Sequence, residues 1–275
     1  NGEITVAGLV TANSGTLTLT SGGGAGDHLD INAALTGDAG VTLNAADTIE
    51  IGAGITTSNG NVTVNDQAVV DANVTITTGA GGGGNVVFNN TLDGPNDLDI
   101  TAGTGNISFT NSVGSGTPLG ALTITSAADV TFSSTVEAAS VVQSAGSGTT
   151  LFSDDVTTSA AAGVDITATN IALDNATMLV DASGDGPVRL NGAVELRGAA
   201  TSLDTTGTGN ITFTGTVDSE ATESNDLTLG ADTGSVVANG AIGSTQPLGA
   251  VLVSDAVNVT FSSTVEAASV VQSAG

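Results

Sequence analysis

The stretch Val130-Thr-Phe-Ser-Ser-Thr-Val-Glu-Ala-Ala-Ser-Val-Val-Gln-Ser-Ala-Gly146 recurs letter for letter as Val259 to Gly275. Phe132 and Phe261 set the offset at 129 residues. Upstream, Pro118-Leu-Gly-Ala121 returns at the same offset as Pro247-Leu-Gly-Ala250. Further upstream, Gly84-Asn-Val-Val-Phe88 corresponds to Gly209-Asn-Ile-Thr-Phe213 at an offset of 125, so the second copy has gained about four residues, around Ser219 to Ser224. The chain therefore reads as one continuous array over residues 1–275: two diverged copies, 18–146 and 147–275, behind a partial unit at the N-terminal end. Duplication of this kind is tolerated where units stack along one axis and touch only their neighbours.

Within each copy a finer rhythm runs. Leu17-Thr-Leu19, Leu29-Asp-Ile31, Val41-Thr-Leu43, Ile49-Glu-Ile51, Val62-Thr-Val64, Val74-Thr-Ile76, Val86-Val-Phe88, Leu98-Asp-Ile100, Ile107-Ser-Phe109 and Leu122-Thr-Ile124 are apolar at both ends and mostly polar in the middle. Alternation at period two marks a strand with one buried face. Gly, Asn, Asp and Ser fill the gaps between triplets and supply turns. No stretch sustains the 3.6-residue period of a helix. The pattern predicts an all-β, right-handed parallel β-solenoid (β-helix) of short strands, with essentially no helix and about 12 coils. Gly60-Asn61, Gly84-Asn85, Gly105-Asn106 and Gly209-Asn210 each precede a triplet. They read as corners, where both residue types tolerate left-handed backbone angles and stacked Asn side chains can bond along the array. Phe88, Phe109, Phe132, Phe152, Phe213 and Phe261 read as interior rungs.

Composition narrows the function. There are 28 acidic residues against two basic ones, Arg189 and Arg197, for a net charge of −26. Such a surface repels nucleic-acid phosphates and anionic lipid, and it attracts cations. Neither a nucleic-acid partner nor membrane insertion is expected, the latter because no apolar run reaches the length of a membrane span. The absence of Cys removes disulfides, thiolate metal sites and thiol nucleophiles. Asn1 leads directly into Ile4-Thr5-Val6 without a signal-peptide pattern, as in a processed product or a piece of a longer chain.

The blocks Gly209-Asn-Ile-Thr-Phe-Thr-Gly-Thr-Val217, Pro118-Leu-Gly-Ala-Leu-Thr-Ile124 and Asp129-Val-Thr-Phe-Ser-Ser-Thr-Val136 resemble the β-strand repeats of giant bacterial surface proteins. These are the filamentous-haemagglutinin type of adhesin and the β-helices of autotransporter passengers. The resemblance covers essentially the whole chain as a texture of repeats. It implies export to the cell surface or extracellular matrix, and a structural or adhesive role. It brings no catalytic residues with it. Further repeats, or further copies stacked end to end, are the partners expected.

The search for chemistry yields little. His28 has no second His or Cys beside it. Paired carboxylates could serve a polysaccharide-cleaving enzyme, but Trp, Tyr and Lys are absent, and the chain reads as non-enzymatic. Gly79-Ala-Gly-Gly-Gly-Gly84 lacks the Lys-Ser/Thr of a phosphate loop and reads as a turn. Calcium is the one ion the text suggests. Asp93, Asp97 and Asp99 crowd one loop, Asp218, Glu220, Glu223 and Asp226 its counterpart in the second copy, and hard oxygen donors at turns suit that cation. Thr16-Leu-Thr18 and its relatives keep an ice-binding face as another reading, although Asp, Glu and Ser interrupt the Thr row.

Overall fold

A computed structural model describes residues 2–24, 26–79 and 82–273. Ala80 and Gly81 of the Gly79–Gly84 turn lie outside the described residues, as do Ala274 and Gly275 of the repeated block. Among the described residues there is no helix, and every recorded strand pairing is parallel. The strands wind into a β-solenoid, about 12 turns in the two units together. The units are Asn1–Ala138 and Ala139–Gly275.

In the first unit three columns of strands rise in register. One holds Ile4–Val6, Leu29–Ile31, Ile49–Ile51, Ala68–Val70 and Leu92–Asp93. The next holds Val10–Ala12, Leu35–Gly37, Ile55–Thr57, Val74–Thr77, Leu98–Thr101 and Leu119–Ser126. The last holds Thr16–Thr20, Gly40–Asn44, Asn61–Val64, Val86–Phe88, Ile107–Phe109 and Val130–Phe132. In the second unit two strands of a turn fuse into single long ones, Val164–Leu173 and Val188–Leu196, which pair with a register break between Thr167 and Asn170.

Register follows from side-chain alternation. A slip of one residue would turn every buried Val, Ile and Leu outward, so the apolar rows lock the coils. Leu29, Val41, Ile49, Val62 and Val86 are fully buried, and each such side chain contributes about 1.5–3 kcal/mol by leaving water. Phe88, Phe109 and Phe132 form a stacked row, with ring centroids 5.3 and 4.9 Å apart. Phe152 and Phe213 are buried as expected; Phe261 is only half-buried, although its flanking sequence is that of Phe132.

The corners work differently from the sequence expectation. Gly60, Gly84, Gly105 and Gly209 do not have positive φ, and neither do the Asn residues that follow them. A Cβ on Gly84 would come within 2.3 Å of the Gly60 carbonyl oxygen, and one on Gly105 within 2.2 Å of the Gly84 carbonyl oxygen. Glycine is needed there because successive coils meet backbone to backbone. The Asn residues hold the stack as anticipated: Asn61 Oδ1 accepts from the Asn85 amide at 2.9 Å, and Asn85 Oδ1 from the Asn106 amide at 2.8 Å. A second ladder runs through side chains alone, Asn65 Nδ2 to Asn44 Oδ1 at 2.7 Å and Asn89 Nδ2 to Asn65 Oδ1 at 2.8 Å.

Candidate functional site

The seven acids singled out as calcium ligands are dispersed, and most of them hold backbone. Asp93 is buried, and its Oδ1 accepts from the amides of Gly116 at 2.7 Å and Thr117 at 3.2 Å in the next coil. Asp218 does the same for Thr245 at 2.7 Å and Gln246 at 3.4 Å. Asp97 Oδ1 accepts from the Ala121 amide at 2.8 Å, and Asp226 Oδ1 from the Ala250 amide at 2.6 Å. The two copies thus use equivalent carboxylates to fasten the same Pro-Leu-Gly-Ala turn, even though four residues separate Asp93 from Asp97 and eight separate Asp218 from Asp226. A carboxylate accepting backbone N–H bonds is a strong, charge-assisted acceptor. Asp99 is exposed in the row Thr75–Asp99–Thr123. Glu220 lies in the longer loop, where its own amide donates to the Leu196 carbonyl at 2.8 Å, and Glu223 accepts from Asn225 Nδ2 at 2.9 Å. Among the described residues no three His, Cys, Asp or Glu side chains converge as a metal site.

Asp27 plays the same fastening part near the start of the chain. Its oxygens accept from the Gly2 and Gly24 amides, both at 2.9 Å, and these bonds hold its carboxyl below the usual carboxylate range. His28 lies 3.8 Å from an Asp47 oxygen. In-register stacking also sets like charges side by side. Asp30 pairs with Glu50, and Asp181 with Asp204. Burial first, and Asp30 second, push the Glu50 carboxyl up; burial and then Asp204 do so for Asp181. The outward Thr row Thr18–Thr42–Thr63 runs for three coils and then gives way to Val87 and Ser108.

The surface feature with the most chemistry lies in the second unit, on none of those expected positions except Asp218. There Asn170, Ala193, Glu195, Thr216 and Asp218, from successive coils, line a groove of about 570 Å3. Arg197 stands on one side with its Nε donating to Glu195 Oε2 at 2.6 Å. The longer loop of the second copy, with Ala221, and the Thr245–Gln246 turn form the rim. Arg197 also lines an adjoining hollow of about 600 Å3 with Asp174, Asn175 and Glu223. The rim is fastened above and below: Asn225 Nδ2 donates to the Gly198 carbonyl at 2.6 Å, and Gln246 Nε2 to the Glu223 carbonyl at 2.6 Å. The sequence signals were the loop insertion and the rarity of Arg; nothing in the text tied them to Glu195.

Fold and surface together define an acidic, parallel β-solenoid with fastened turns and a lateral groove in its second unit. No protein-family model, curated protein or solved structure matches the chain.

Proposed function

We propose that the chain is a non-enzymatic structural or adhesive segment of a long extracellular bacterial surface protein or filament. Its partners are further repeats or further copies stacked end to end, at the cell surface or in the extracellular matrix. The observation that carries this reading is the repeated block. Val141 is fully buried and pairs in register with Val164 of the following coil. A coil surface of this sequence is thus one that another coil fits.

The spacing of apolar positions supports stacking between copies. Phe152, Val156 and Val164 belong to the coil that follows the first block, and Val6, Val10 and Leu17 repeat its order near the N-terminus with nearly equal intervals. A contact between two such different surfaces propagates from copy to copy. The −26 charge keeps lateral association weak while the apolar coil faces drive end-to-end contact. Electron micrographs of the native material test the proposal: fibres or a surface layer are expected, and dispersed single particles inside the cell contradict it.

A further inference from the structure

We infer that the lateral groove of the second unit binds a short stretch of neutral saccharide. The inference stands whether or not the chain is part of a surface fibre, because it rests on the groove alone.

The volume of about 570 Å3 falls in the range of small-molecule sites, about 300–1,000 Å3. The floor is low at Ala193, a small residue at a position where the preceding coil carries Asn170. The wall is polar and carries both signs. Arg197 gives its Nε to Glu195, and the side chains keep 31% and 42% exposure respectively. That leaves the terminal guanidinium nitrogens as donors and the carboxylate as an acceptor.

These groups select the ligand by charge. A ligand anion would meet Glu195, Asp218 and a chain of net charge −26; a ligand cation would meet Arg197. A hydroxyl suits both, since it can donate to Glu195 and accept from Arg197 at once. Asn170 and Thr216 at the same wall add neutral donors and acceptors. The groove is also preformed. Its rim loop is tied to the coil below through Asn225 and Glu220 and to the coil above through Gln246. Within that loop Thr222 holds φ at 73°, a conformation that β-branched residues rarely adopt and that the surrounding bonds must sustain. Without an aromatic platform the affinity is weak, and the expected Kd is about 1 mM.

Titration of the purified chain with gluco-, manno- and galacto-oligosaccharides, followed by NMR shift changes, tests the inference. At least one series saturates the groove resonances. Arg197→Ala weakens binding by about tenfold through loss of a charge-assisted bond. Ala193→Phe, which fills the floor, weakens it at least as much, and Arg189→Ala, outside the groove, leaves it unchanged. Melting curves first establish that each variant is folded, and Glu195→Gln replaces any that is not. The inference fails if no neutral oligosaccharide saturates below about 50 mM, fifty times that expected Kd. It also fails if binding survives both groove variants, or if only oligogalacturonate or oligolysine binds there.

Discussion

Val141-Val142-Gln143 and Val270-Val271-Gln272 are the same three residues inside the same longer block, yet the first set is largely buried and the second lies about half exposed at its valines. Both are strands, Val136–Gln143 and Ala267–Gln272. Local sequence therefore fixes the strand, while burial comes from the coil laid on top. The Val141 amide donates to the Gly163 carbonyl at 2.9 Å, and Val141, Val142 and Gln143 pair with Val164, Asp165 and Ile166. The difference between the twin segments measures what one stacked coil contributes.

The largest effect expected lies where stacking is complete on both sides. Phe109 sits between Phe88 and Phe132, and Phe109→Ala costs about 3–5 kcal/mol in thermal or denaturant unfolding. Phe261→Ala, at the half-buried twin of Phe132, costs markedly less; equal losses would show that stacking is not what separates the twins. The next comparison is between identical residues. Val141→Ala costs about 2 kcal/mol, whereas Val270→Ala stays within about 0.5 kcal/mol.

Much of this was legible in the sequence. The apolar-x-apolar triplets found the strands whose two inward residues are both large, and the Phe rungs and Asn ladders followed. The first three strands of the second column, Val10–Ala12, Leu35–Gly37 and Ile55–Thr57, were harder to read, because Ala, Gly or Thr occupies the second inward position. Thr57 and Thr78 are buried with their hydroxyls donating to the Gly60 and Gly84 carbonyls at 2.5 and 2.6 Å, so these two polar inward residues are satisfied locally while they break the apolar rhythm. Each acidic loop reads as a ligand set of its own, because sequence proximity says nothing about which oxygen meets which amide. Asp93 and Asp97 instead reach separate amides of the following coil.

That fastening gives a smaller prediction. Asp93→Ala leaves the Gly116 and Thr117 amides without their acceptor and costs about 1–3 kcal/mol. Asp218→Ala, at a more exposed position, costs less, and chelation of divalent ions leaves both melting midpoints unchanged. A chelator-induced drop would restore a structural cation to these loops.

The smallest effect is a matter of pH. The folded state holds the Glu50 carboxyl up, chiefly through burial and then through Asp30, so the folded chain binds this proton more readily than the unfolded one. The ionised group therefore opposes folding at neutral pH, and its contribution improves as pH falls through the folded value. Glu50→Gln raises the melting midpoint slightly near pH 7, and the gain shrinks as acid protonates Glu50 in the parent chain. Asp27 runs the other way: its amide bonds lower its carboxyl, so its contribution is present at neutral pH and lost on acidification.

Site-resolved hydrogen exchange by NMR at Val141 and Val270 addresses coil stacking most directly, since peptides of identical sequence have the same mass. Exchange at the Val141 amide should be slower than at Val270 by orders of magnitude, because a following coil covers and bonds the first. Equal protection at the two valines would contradict the account.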